Sequence, residues 1–288
     1  MAMLLLVVLL LAGGAGASNN TSSTSNTSSS SSSREEKTTT TTRLVFILGG
    51  QSNMGGRGGA TRGGVWDGVV PPQCSPSPRI LRLNPALRWE EAREPLHAGI
   101  DLNNVIGVGP GMSFAHAVLH GSRSSSSVIT IGLVPCAQGA TPITDWARGT
   151  HLYNRMIQRT RAALNNNGQA VGGKTKTKLA ALLWYQGEAD TIRRQDALAY
   201  TSRMEAFVRD LRQDLNMPNL LVIQVGLATG QGKFIDLVRQ AQRAVNLPNV
   251  KYVDAKGLPV ANDYTHLTTP AQVLLGKMLA KAYLATSI

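Results

Sequence analysis

Residues Arg43–Asn53 read RLVFILGGQSN, and this stretch decides the fold. Leu44 to Leu48 is apolar at every position, so a strand here must be buried on both faces. Gly49-Gly50 then ends it in a turn. Similar runs recur at Val128–Val134 (VITIGLV), Leu179–Tyr185 (LAALLWY) and Leu220–Val225 (LLVIQV), with a shorter one at Val250–Val253. Helical patterns lie between and after them, at Gly111–His120, Leu152–Leu164, Arg193–Leu215, Phe234–Val245 and Ala271–Leu284. The last has Thr269 as its expected cap and Pro270 at its first position. Strands alternating with helices imply right-handed crossovers and a doubly wound α/β sheet. Sites in such sheets form at the carboxyl ends of strands, so the chemistry is expected just past the apolar runs.

The chain has 288 residues, 42% of them apolar and 16% charged, enough to bury a core. Aromatics are 5%, too sparse for a platform that stacks single-stranded nucleic acid. Lys plus Arg is 29 against 17 for Asp plus Glu, so 29 − 17 gives a net charge of +12. That excess suits an anionic partner, which charge alone does not identify. The two cysteines, Cys74 and Cys136, exclude a disulfide-dense scaffold and a four-cysteine zinc site. They are either one bridge or two separate buried thiols.

The N-terminus reads as a leader. Met1 to Leu11 is apolar, and Ala15-Gly16-Ala17 fits the small-residue cleavage pattern. The run is shorter than the roughly 20 residues a membrane span needs, so no stable membrane anchor is expected. The expected organisation is a signal peptide at 1–17, a disordered tether at 18–42 and one folded domain at 43–288. In the tether 18 of 25 residues are Ser or Thr, which leaves little to bury. Asn19, Asn20 and Asn26 each open an N-x-Ser/Thr triplet, usable as glycan acceptors on a secreted chain. The expected location is therefore extracellular, or cytoplasmic if the leader is not a signal peptide.

Three segments past strand ends carry chemistry. The first run delivers Gln51-Ser52-Asn53 between glycines, which leaves room for an ester carbonyl to approach the Ser52 hydroxyl. The third delivers Gln186-Gly187-Glu188-Ala189-Asp190, where an amide N–H of Gln186 can meet a developing oxyanion. Near the C-terminus, Asp263 and His266 stand three apart just ahead of the last helix. There the carboxylate can orient the imidazole and stabilise its protonated form.

Together these segments resemble the SGNH (GDSL-like) hydrolases, and more closely their carbohydrate-esterase branch, which includes sialate O-acetylesterase-like domains and plant carbohydrate esterases. The matching pieces are ILGGQSNMGGRGG at Ile47–Gly59, GVGPGMSFA at Gly107–Ala115, GLVPCAQGAT at Gly132–Thr141, WYQGEAD at Trp184–Asp190 and DYTHLTTPAQ at Asp263–Gln272. They span nearly all of residues 43–288 in the family's order. The resemblance implies a flavodoxin-like three-layer α/β/α sandwich with a central parallel sheet. It also implies a serine esterase without metal or cofactor that removes O-acetyl groups from carbohydrate through an acyl-enzyme. Ser52 then matches the nucleophile, His266 the base and Asp263 the acid that orients it. The oxyanion donors would be the Ser52 and Gly109 amides and the Gln186 side chain, a glutamine where the wider superfamily has asparagine. Glu188 is the rival acid; the short fixed spacing to His266 favours Asp263.

Other features are weaker. The Gly55–Gly64 stretch (GGRGGATRGG) looks like a small RGG box but lies behind Ser52 and reads as a flexible loop lining the site. It lacks the Gly-Lys-Ser/Thr end of a P-loop. His116 and His120, four apart on a helix, have no third ligand nearby in sequence and read as structural. No G-x-S-x-G surrounds any serine, against an α/β-hydrolase elbow. The competing functions are a polyanion- or nucleic-acid-binding protein using the basic charge, and an inactive glycan-binding relative. The favoured partner is an acetylated carbohydrate, with an acidic polysaccharide as one form of it, and no nucleic acid.

Overall fold

The computed structural model describes residues 41–60, 64–122, 128–165 and 175–286. The expected signal peptide and all of the expected tether up to residue 40 lie outside the described residues. The first strand, β1 (Thr41–Gly50), takes in the last two threonines assigned to the tether.

The apolar runs are strands, as read: β4 (Val128–Pro135), β5 (Thr175–Tyr185), β6 (Leu221–Gly226) and β7 (Val250–Asp254). Two short strands escape the sequence reading, β2 (Ile80–Leu83) and β3 (Trp89–Glu91). Both are too brief for a periodic signal, and β3 is nowhere fully buried. The seven strands form one sheet in the order β3-β2-β4-β1-β5-β6-β7. Every pairing is parallel except β2 with β3, so the expected parallel sheet carries one antiparallel edge strand.

The helices are α1 (Ser52–Gly55), α2 (Gly111–Gly121), α3 (His151–Asn165), α4 (Arg194–Asp214), α5 (Ile235–Ala244) and α6 (Thr269–Leu284). Helix α6 is capped one residue earlier than expected, by the Thr268 side chain accepting from the Ala271 amide. On one sheet face Phe46 of β1 meets Phe114 of α2 and Tyr283 of α6, with ring centres 4.8 and 4.9 Å away. On the other, Trp184 of β5 packs 5.2 Å from Trp146 and 4.5 Å from Phe207 of α4. The fold is the three-layer α/β/α sandwich. Cys74 and Cys136 are both buried free thiols, so the bridge alternative falls.

This topology sets the site. From β1 the chain moves outward to β2, β3 and β4, then returns across β1 to β5 on its other side. The order of travel reverses at β1, and the carboxyl ends of β1 and β5 flank that reversal, where a crevice opens in doubly wound sheets.

Candidate active site

The turn after β1 is built on two glycines that nothing larger can replace. Gly50 has φ of 127°, and a Cβ there would run into the Tyr185 carbonyl of β5. Gly56 has φ of 92°, and its Cβ would lie 2.6 Å from the Gly107 carbonyl oxygen. Between them α1 makes a single turn, with the Gly56 amide donating to the Ser52 carbonyl at 2.9 Å. Residues 55 to 58 are buried, which corrects the reading of this part as a flexible loop. The part at 61–63 lies outside the described residues.

The loop before α6 folds around Asp263. Its Oδ1 accepts the amides of Thr265 and His266, each at 2.9 Å. Its Oδ2 lies 2.6 Å from His266 Nδ1. The other ring nitrogen, Nε2, lies 2.9 Å from Ser52 Oγ, across 214 residues of sequence. Burial opposes ionisation of Asp263, but the two amides and the imidazole together hold its carboxyl below the ordinary range. An ionised Asp263 only accepts, so Nδ1 carries the proton and Nε2 is left to accept from the Ser52 hydroxyl.

Both nitrogens of the imidazole are thereby occupied, and Glu188 is not its partner. Instead Glu188 Oε1 accepts from Asn53 Nδ2 at 2.8 Å. The same Nδ2 reaches the Thr265 carbonyl at 3.3 Å, and Asn53 Oδ1 accepts the Leu267 amide at 2.9 Å. Asn53 thus ties the nucleophile turn to the residues on either side of His266, and Glu188 holds Asn53. Burial pushes Glu188 up to about 7, against the Asn53 bond, and its Oε2 has no partner. Asn53 stands next to Ser52 in the sequence with nothing local to mark its role. Its amide works through contacts 135 and 212 residues away, which leave no local signal.

One of the expected oxyanion donors, the Gln186 side chain, needs correction. Gln186 is fully buried, and its Nε2 gives its two hydrogens to Asp190 Oδ2 at 2.6 Å and the Thr141 carbonyl at 2.9 Å. Its Oε1 accepts from the Tyr200 hydroxyl at 3.0 Å. A side chain so committed has no donor for a substrate. The Gly109 amide is turned to Glu94 Oε1 at 3.4 Å, a long bond that leaves it weakly held. Burial pushes Glu94 up to about 8, against its bonds from the Leu96 and Gly109 amides.

Beside the triad opens a cavity of about 500 Å³ lined by Arg57, Ala60, Val105, Ala261, Asn262, Asp263 and His266. Arg57 is fixed by Asp101 Oδ2 at 2.6 Å and the Gly56 carbonyl at 2.9 Å. Asp101 Oδ1 in turn accepts from Asn104, Gln138 and the Gly139 amide at 2.8–2.9 Å. Asp101 stands in none of the quoted motifs, so no pattern pointed to it. His116 and His120 lie on α2 with ring centres 6.4 Å apart, and His116 Nε2 is 2.8 Å from the Ser75 carbonyl.

This geometry, a serine, an imidazole and a carboxylate in line at the switch point of an α/β/α sandwich, is that of a hydrolase with an activated serine. Comparison with known proteins agrees. Residues 42–285 match the family described as carbohydrate esterase, sialic acid-specific acetylesterase, and the chain belongs to that family. It is 52% identical over 246 residues to a protein of Arabidopsis thaliana named Probable carbohydrate esterase At4g34215, covering 84% of this chain and 90% of that one. The crystal structure of that Arabidopsis protein superposes with a TM-score of 0.76, covering 84% of this chain and 98% of the other. NanS, at 18% identity, shares the fold with a TM-score of 0.61 over 85% of this chain and 97% of its own.

Proposed function

We propose that the protein is a serine esterase that removes O-acetyl groups from carbohydrate through an acyl-enzyme on Ser52. The observation that carries this is the unbroken line Ser52 Oγ, His266 Nε2, His266 Nδ1, Asp263 Oδ2, with links of 2.9 and 2.6 Å. Ser52 Oγ attacks the ester carbonyl carbon while Nε2 takes its proton. Asp263 keeps the Nδ1 proton in place and stabilises the imidazolium that results. The backbone amide of Ser52 donates to the oxyanion, and the loosely held Gly109 amide joins it by leaving Glu94. Collapse of the tetrahedral intermediate expels the sugar oxygen, which takes the proton from His266. Water, activated by the same imidazole, then releases acetate from Ser52.

The finer reading is an acidic glycan as substrate and secretion as the route to it. The +12 charge and the Arg57 guanidinium in the cavity beside His266 support the first. The apolar Met1–Leu11 run and the Ala15-Gly16-Ala17 site support the second. The test is hydrolysis of an acetylated uronic-acid oligomer and of p-nitrophenyl acetate by the full chain, with Ser52→Ala alongside. Wild-type turnover that vanishes in the variant is expected. Raising salt to about 0.5 M shortens the Debye length to a few ångströms and should slow only the oligomer. Equal salt sensitivity for both substrates would argue against an anionic substrate.

A further inference from the structure

Tyr264 stands between Asp263 and Thr265 in the loop that presents His266, and 76% of it is exposed. Among the described residues it is the only aromatic in the set of exposed large hydrophobic side chains. Its φ is 59°, in the left-handed region that strains any residue with a bulky side chain. Burying a phenol ring releases free energy, and so does leaving the left-handed region. This ring does neither, two residues from His266.

Its neighbours define the surroundings. Ala261, Asn262, Asp263 and His266, on both sides of it in the loop, line the cavity beside the triad. Ala60 and Val105 add apolar wall to that cavity, and Arg57 adds a guanidinium. The turn that raises Tyr264 is closed by its own amide, which donates to the Ala261 carbonyl at 2.9 Å. The loop thus fixes the acid and the imidazole while holding one aromatic ring in water, between residues that line the cavity.

We infer that Tyr264 is the stacking platform of a sugar subsite, receiving the apolar face of the acetylated pyranose while its ester lies against Ser52. A pyranose turns several C–H groups to one face and its hydroxyls to the rim. The C–H face packs on the electron-rich face of an aromatic ring, and the rim hydroxyls stay free for polar partners. A stacking ring carried on the His266 loop couples sugar binding to placement of the ester, which is where specificity for carbohydrate over simple esters arises. The inference rests on the esterase reading above.

The test compares kcat/KM of the full chain on the acetylated sugar it turns over best with that on triacetin, an acetyl ester without a ring. Tyr264→Asn is the informative change, because asparagine tolerates a positive φ and preserves the turn. The ratio of sugar to triacetin kcat/KM should fall about tenfold, as for losing one favourable ring contact, with the loss carried mainly by KM. Tyr264→Phe and Tyr264→Trp should restore it. Equal losses on both substrates would assign Tyr264 to loop geometry and overturn the platform. A ratio unchanged in Tyr264→Asn, with the wild type active on sugars, would overturn the platform alone. A wild type that cleaves triacetin but no acetylated sugar would remove the carbohydrate-esterase reading and the platform with it.

Discussion

The loop Pro259–Thr268 and the turn Gln186–Thr191 both bring carboxyl groups toward Ser52, one ahead of α6 and the other beyond β5. They leave those groups in opposite conditions. Asp263 keeps a third of its side chain in water and receives two amides and an imidazole. Glu188 is wholly buried, has one partner in Asn53 and an empty Oε2, and holds its proton to about pH 7. Asp190, beside it, is raised to about 6 by burial despite its bonds from Gln186 and the Ile143 amide. An acid met by several N–H donors and water is ionised at neutrality and suits an imidazolium; an acid in a dry pocket serves as scaffold. Residue type does not separate the two regions, since Asp190 is an aspartate like Asp263. Solvation and the count of donors do.

The sharpest way to break the comparison is to replace each acid by its amide in turn, against the loss of the nucleophile itself. Ser52→Ala should cost on the order of 10⁴–10⁶ in kcat, since the serine and imidazole act as one unit, with melting temperature nearly unchanged. Asp263→Asn should follow at about 10⁴, because the amide favours the wrong tautomer of His266. Glu188→Gln should lower kcat by less than about tenfold, since a glutamine carbonyl can still accept from Asn53. Steady-state kinetics on one acetyl ester ranks all three, and a larger loss at Glu188 than at Asp263 would reverse the assignment.

Two further outcomes concern stability. Gln186→Ala should destabilise the fold by about 1–3 kcal/mol, read as a fall in melting temperature, because the Thr141 carbonyl loses its side-chain donor and buried Asp190 is left with the Ile143 amide. A catalytic loss with no loss of stability would restore Gln186 as an oxyanion donor. The other outcome is a slope. Glu188 binds its proton more tightly folded than unfolded, so its contribution is present below its unfolded value of about 4.5 and is lost as pH rises to about 7. The total is roughly 3 kcal/mol over that interval. Glu188→Gln should flatten this part of the stability curve in denaturant titrations, and an unaltered slope would mean that another group carries it.

Much of the fold was legible because it depends on local chemistry. Leu44–Leu48 is apolar on both faces, and that pattern has few solutions besides a central parallel strand. Strand β3 gave no such signal, since three half-buried residues are too short for periodicity. At the site, the Asp263–His266 pair was visible because its spacing lies within one loop. Gln186 misled for the opposite reason. Its residue type and its place past β5 suited an oxyanion donor, but the orientation of its amide is set by Asp190 of the same turn together with Thr141 and Tyr200 from elsewhere in the chain.

The sequence by itself determined the alternation of strands and helices, the glycines that let β1 end in a tight turn, and the serine, the histidine and the two acids from which a triad could form. These follow from side-chain patterning, backbone freedom and chemical type, which each residue carries with it. Only the tertiary structure decided that Asp263 and not Glu188 faces the imidazole and that Asn53 bolts the His266 loop to the Ser52 turn. It alone turned the Gln186 amide inward. Those outcomes depend on which groups meet across as many as 214 residues of chain and on how much water remains when they do, quantities that exist only once the sheet has closed.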